Sequence, residues 1–166
     1  PFFRERSAPR VTLAGGRTLE DRRDVRTLAY SPGGRASGAV RPIGLAPGRD
    51  SDAGCSAGDF GALRDGEVAL VQRGTCELRV KARNAERAGA SAVLIANDGR
   101  ADRTGVIAGT LGAPGLRIPA LFVSSGAGRD LAAAGRVTVA VDAVSEQRTT
   151  ANVIAETGSG PRVAMA

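Results

Sequence analysis

Two short apolar runs, Val68–Gln72 and Ala92–Ala96, constrain this chain more than any other feature. Each is too short for a helix and lacks the alternation of a half-exposed strand, so both read as strands covered on two faces. Between them Thr75 is placed to cap a helix from about Cys76 to Ala88, with Glu77 in its first turn. Leu78, Ala82, Ala85 and Ala88 share one helical face, and Gly89 is a natural stop. Strand, helix and strand in that order predict a βαβ unit with parallel strands and a right-handed crossover. At 166 residues the chain is one domain, long enough to bury a real core.

The rest of the chain is less sharply patterned. Residues 11–13 read as a short strand before the Gly15-Gly16 turn, and residues 25–30 as another. Residues 39–44 read as an edge strand, because Pro42 cannot donate to a ladder. A polar loop over 46–59 carries Cys55. Residues 97–117 form a long glycine-bearing excursion, of the length that is usually functional or mobile. A strand is expected over 119–123, then a helix capped by Ser124 or Ser125 and stopped by Gly135, then a strand over 137–141. Residues 152–155 and 163–165 are expected to pair as a hairpin around Gly158-Ser159-Gly160-Pro161. Only five aromatic residues and no tryptophan are available, so Val, Leu, Ile and Ala must build the core.

Composition removes several function classes. The formal charge of +6 sits mostly in residues 1–50, where ten arginines face five acids. Basic charge invites a nucleic-acid reading, but a stacking surface of aromatics is missing and both signs intermingle, as in Glu20-Asp21-Arg22-Arg23-Asp24. No apolar run reaches bilayer-spanning length, so no membrane partner is expected. Pro1 is not a natural start and no signal peptide precedes the fold, so a processed product or excised piece is expected. There is no histidine, which removes the commonest general base and metal ligand. Ser-His-Asp and Cys-His devices are therefore ruled out in their usual form. Asp98 and Asp102 offer a carboxylate pair, but in a polar loop such acids are ordinarily solvated, and no catalytic residue and no metal site is assigned.

Cys55 and Cys76 admit several readings: a structural disulfide, a redox couple, a metal pair, two unrelated buried thiols, or a reactive Cys76 at a helix start. They are not C-x-x-C, and no carboxylate cluster completes a zinc site. A disulfide would tie the 46–59 loop to the helix and stabilise by about 3 kcal/mol. It is the expectation carried forward, and it implies an oxidising compartment. Gly126-x-Gly128-x-x-Leu131 mimics a dinucleotide fingerprint ahead of Asp142, but the third glycine is missing and the acid falls short of the usual offset. A serine-capped helix explains it as well.

Taken in order, several pieces over residues 36–142 resemble the protease-associated (PA) domain. They are the strand into Arg73-Gly74-Thr75-Cys76, then Lys81, Asn84-Ala85, Ala88-Gly89-Ala90, the strand ending at Asn97, Gly109-Thr110-Leu111-Gly112, Ile118-Pro119 and the serine-capped helix. Leu78 stands where that family usually has an aromatic. Glu146-Gln147-Arg148-Thr149-Thr150 and Asn152 through Thr157 resemble the re-entry from such an insert into the catalytic domain of secreted bacterial zinc aminopeptidases. Phe2-Phe3-Arg4-Glu5-Arg6 resembles the exit from the peptidase's first helices.

The resemblance implies an α/β fold, an open barrel-like β-sheet flanked by two short helices and containing the βαβ unit. It divides the chain into a connecting segment 1–20, a PA domain 21–148 and the start of a following peptidase domain at 149–166. It further implies a secreted, non-catalytic module that contacts protein or peptide substrates, or gates their access to a peptidase domain of the same polypeptide. Zinc would belong to that peptidase domain, with no cofactor in this chain. A free-standing receptor or adhesion module and a small-ligand or nucleotide binder are the alternatives. For the contact surface the loops after the two parallel strands are chosen, with Arg73, Asn97, Asp98, Asp102 and Arg103 as partner-binding residues.

Overall fold

The computed structural model describes residues 1–149. Seven strands are present: β1 Phe2–Leu13, β2 Val25–Thr27, β3 Gly34–Ile43, β4 Val68–Gln72, β5 Ala92–Ala96, β6 Ala120–Val123 and β7 Arg136–Glu146. Helix α1 spans Leu78–Arg87 and helix α2 spans Ser125–Ala134. The strands make one mixed sheet in the order β1-β7-β3-β4-β5-β6-β2. Its end strands β1 and β2 lie against each other, linked by the segment between them, where the Leu19 N–H donates to the Val11 carbonyl at 2.8 Å and Asp21 bridges to Val25, so the sheet curls into a nearly closed barrel.

The central strands explain the apolar runs. Every residue of β4, β5 and β6 is buried. Val68, Leu70, Ala92, Leu94, Leu121 and Val123 point into one core, which also holds Ala127 and Leu131 of α2. Ala69, Val71, Val93, Ile95, Ala120 and Phe122 point into the other, with Ala82 and Ala85 of α1. One helix thus covers each face, and Gln72 at the end of β4 is the one polar residue in these three strands. β3, β4, β5 and β6 run parallel to their neighbours in that order, as the βαβ reading requires.

Local differences from expectation have physical reasons. The segment expected to be a connector carries β1, nine of whose twelve residues pair antiparallel with β7; Val11 and Leu13 enter the core, so residues 2–13 are part of the sheet. The strand expected over 25–30 shortens to three residues, because Ala29 leaves β6 to exchange hydrogen bonds with Gly109 and Leu111, and Tyr30 then turns the chain at φ 69°. The edge strand carrying Pro42 is central as a whole but one-sided locally. β3 pairs with β7 through Ala39 and with β4 from Val40, so Pro42 needs no second ladder. α1 begins at Leu78, with Glu77 at the N-cap and no side-chain cap, in place of a Thr75-capped start at Cys76. The hairpin expected over 152–155 and 163–165 lies outside the described residues.

α2 also accounts for the dinucleotide mimic. The Ser124 hydroxyl accepts from the Ala127 N–H at 3.1 Å, and Gly135 closes the helix at φ 67°. A Cβ on Gly128 would lie 2.7 Å from the Ala96 Cβ, so this glycine lets α2 approach β5. The strand after α2 is β7, which does not neighbour β6. Gly126 meets nothing closer than 3.9 Å. Gly128→Ala is therefore expected to destabilise by about 1–3 kcal/mol through overpacking. Gly126→Ala should be neutral or stabilising by up to about 1 kcal/mol, as for alanine over glycine in a helix. Thermal melts of the two variants check this, and equal effects would show that packing at Ala96 is not what selects Gly128.

Candidate functional site

The loops leaving β4 and β5 are neighbours. The Arg73 N–H donates to the Ala96 carbonyl at 2.7 Å, and the Arg73 guanidinium reaches the Asn97 side-chain oxygen at 3.5 Å. Asn97 is itself committed inward: its amide donates to the Gly105 carbonyl at 2.7 Å, and its oxygen accepts from the Asp98 N–H at 3.0 Å. Asp98 is fully buried, which corrects its reading as a solvated acid. Its carboxylate accepts from the Arg100 N–H at 3.2 Å, from the Arg100 guanidinium at 3.0 and 3.2 Å, and from Arg103 Nη1 at 3.1 Å. Burial pushes this carboxyl up, but those hydrogen bonds together outweigh it and hold Asp98 below the ordinary carboxylate range. Arg100 continues outward to Asp50, at 2.6 and 3.1 Å. Asp102 is exposed.

Of the five residues chosen for partner contact, Asn97 and Asp98 thus organise the loop from inside, and Arg103 is half committed to Asp98. Arg73 and Asp102 remain accessible, Arg73 only in part.

Cys55 and Cys76 form a disulfide, with Cα atoms 5.8 Å apart, that ties the 46–59 loop to the start of α1. The same loop is held by groups the sequence reading did not assign to it. Lys81, fully buried, donates its ammonium to the Ala53 carbonyl. Burial lowers its pKa, with Asp59 and Asp52 opposing. The Asn84 amide donates to the Gly54 and Cys55 carbonyls at 3.1 and 3.0 Å. The Gln72 amide accepts from the Ala46 N–H and donates to the Ala46 and Arg49 carbonyls. A signal for Lys81 was present: the chain's only lysine falls on the apolar face of α1, between Leu78 and Ala85. Gly74 has its reason here too, since a Cβ would lie 1.7 Å from the Ser51 carbonyl oxygen. Among the described residues no three His, Cys, Asp or Glu side chains come together in a way that suits a metal ion.

Comparison with known proteins now decides the family. The model of the PA domain matches residues 40–131. The chain belongs to the PA domain family. It is 36% identical over 149 residues to an aminopeptidase of Pseudomonas aeruginosa, covering 86% of this chain and 28% of that protein. It is 37% identical over 161 residues to a Mycobacterium tuberculosis protein named "Probable lipoprotein aminopeptidase LpqL", covering 94% of this chain and 31% of that one. Among solved structures, BSAP, a zinc aminopeptidase from Bacillus subtilis, superposes with a TM-score of 0.67 at 24% identity, over 87% of this chain and 32% of that one. At that identity the likeness speaks for the fold. The chain spans less than a third of each of these relatives.

Two carboxylates of this PA domain tie its stability to pH. Arg41 pairs with Glu67 through two hydrogen bonds of 2.8 and 3.0 Å, and the Arg64 N–H adds a third. These outweigh burial and lower Glu67 to about 2. Both Glu67 and Asp98 are depressed in the folded chain, so the stability they give is complete above the unfolded values near ~4 and is lost as pH falls through the folded ones. Asp98→Asn is expected to destabilise by about 1–3 kcal/mol at pH 7, because both guanidiniums lose a charged acceptor. That deficit should shrink below pH ~4 as the native carboxylate is protonated. Denaturant melts from pH 7 to 2 check this; a deficit unchanged across the range would show that Asp98 does not couple to folding as a carboxylate.

Proposed function

We propose that this chain is a non-catalytic accessory domain of a secreted aminopeptidase-like protein, contacting protein or peptide substrates or gating their access to the peptidase active site. The observation that carries the reading is coverage. Less than a third of each matched aminopeptidase corresponds to this chain, and the family model matching it is the PA domain. Side-chain chemistry supports it. The sequence contains no histidine, and the buried Asp98 spends its acceptors on Arg100 and Arg103. The described residues do not suit a zinc ion, since the sequence has no His and no Cys-carboxylate cluster forms among them. Zinc and the hydrolytic step are assigned to a peptidase domain of the same polypeptide, the partner this domain would serve.

The Cys55–Cys76 disulfide supports export to an oxidising compartment. No helix among the described residues is long and apolar enough to cross a membrane. The name of the mycobacterial relative, a lipoprotein aminopeptidase, adds a lipid-anchored form to a released one.

Two measurements test the role. The 166-residue chain, purified and supplied with zinc, should release no N-terminal residue from peptides; metal-dependent release by the pure chain would overturn the non-catalytic reading. In the parent polypeptide, Arg73→Ala and Asp102→Arg should change kcat/KM for a ten-residue peptide by at least about threefold, while an aminoacyl nitroanilide changes by less than about twofold. Equal responses of both substrates, with melting unchanged, would remove this surface from substrate contact and favour a free-standing interaction module.

A further inference from the structure

The outer face of the β1-β7-β3 ribbon carries two arginines that no carboxylate among the described residues answers. β1 bulges twice against β7, between Glu5 and Ser7 and again between Ser7 and Arg10. Beside these bulges lies an open groove of about 510 Å³ lined by residues of all three strands. The register places Arg10 on β1 and Arg35 on β3 directly opposite the same residue of β7, Ala140. All three fall on the outward face, since the alternate positions Val139 and Val141 are buried in the core. The two arginine Cα atoms are two strand spacings apart, about 10 Å, with only a methyl group between them. Two residues along β7, Asp142 closes one end of the groove. Beyond the groove in the other direction, Thr138 and Ser37 present hydroxyls 3.2 Å apart and line a separate hollow. Among the described residues neither Arg10 nor Arg35 makes an ion pair.

Other basic features of the chain do not combine charge with shape in this way. Arg100 and Arg103 are neutralised by Asp98 and Asp50. Arg79, Arg83 and Arg87 follow one another along the outer face of α1 beside the exposed Val80, but a helix surface is convex and holds no ligand.

We propose that this groove binds an extended peptide segment through an acidic side chain, with Arg10 and Arg35 closing on its carboxylate above Ala140. Two guanidiniums converging on one carboxylate give charge-assisted, geometrically matched hydrogen bonds. The groove is lined by residues of all three strands, and its volume is more than a single small anion fills, so an acidic side chain can enter with its flanking backbone. Asp142 is placed to accept from an N–H of the same segment, about 7 Å further along. Pro9 and the bulges leave the free edge of β1 poorly suited to adding a strand, so the peptide lies on the face and not along the edge. The inference deepens the accessory role proposed above by naming a surface and the chemistry it selects, and it rests on that reading for its biological meaning.

The test is fluorescence anisotropy of a fluorescein-labelled (Glu-Ser)5 peptide against the 166-residue chain at low salt, with (Gln-Ser)5 as the neutral match. Arg10→Ala/Arg35→Ala should weaken binding of the acidic peptide by at least about tenfold. Ala140→Phe, which fills the floor without changing charge, should weaken it comparably. Arg83→Ala/Arg87→Ala, with the same loss of charge elsewhere, should stay within about twofold of the unaltered chain. All substituted positions are at the surface or half-exposed, and thermal melts confirm folding. Equal weakening by both arginine pairs, equal binding of the neutral peptide, or no binding at all would overturn the groove. If the groove fails while Arg73→Ala and Asp102→Arg still separate long from short substrates, the accessory role stands. If the acidic peptide binds here but no variant separates the substrates, the groove stands and the accessory role falls.

Discussion

Burial of β4, β5 and β6 on both faces is the constraint from which the remainder of this PA domain follows. Each buried Val, Leu, Ile or Phe in these strands contributes roughly 1.5–3 kcal/mol only if something covers it. Alternation sends one set toward α2 and the other toward α1, so both helices are obligatory and must lie on opposite sides. Parallel pairing then forces a long crossover between successive strands. The crossover from β3 to β4 has no helix of the length of α1 or α2, only a 3-10 turn over Ala57–Phe60. Like the crossover from β5 to β6, which has no helix at all, it needs other anchors.

Those anchors are polar and come from the elements the segment lies against. Gln72 at the end of β4, Lys81 and Asn84 on α1, the disulfide to Cys76, and the contact between Gly74 and Ser51 fasten it. Asp98 reaches it from the other side: its backbone carbonyl accepts from the Gly48 N–H, and its carboxylate joins Arg100, which holds Asp50. A buried carbonyl without a donor is costly, and so is a buried ammonium without an acceptor. Lys81 and the Ala53 carbonyl answer each other in a place where neither reaches water. The chemistry-bearing residues of the interior are therefore spent on architecture, and the groups left free for contact lie on the ribbon face and the loop rims.

Much of this was legible in the chain. The strands β4 and β5, the helix between them, the stop at Gly89 and the serine cap of α2 follow from periodicity and turn chemistry within short windows, and the structure places them within a residue or two. The barrel-like sheet with two short helices came from family resemblance, and it matches. β1 was less legible: Arg4, Glu5, Arg6 and Arg10 give it a polar exterior, its two bulges break the alternation, and only Val11 and Leu13 signal a core. Asp98 was misjudged because neighbouring glycines and charges look the same whether a loop is solvated or folded around its own carboxylate.

The sequence by itself determined which segments are covered on both faces, where the helices stop and where α2 starts, and that histidine-based chemistry is absent from this domain. These are local properties, fixed by which side chains sit three, four or two residues apart. The tertiary structure alone decided that Asp98 is buried, that Lys81 serves a carbonyl 28 residues away, and that Arg10 and Arg35 flank Ala140. Such pairings depend on strand order and register, and a shift of one residue would send each side chain to the opposite face.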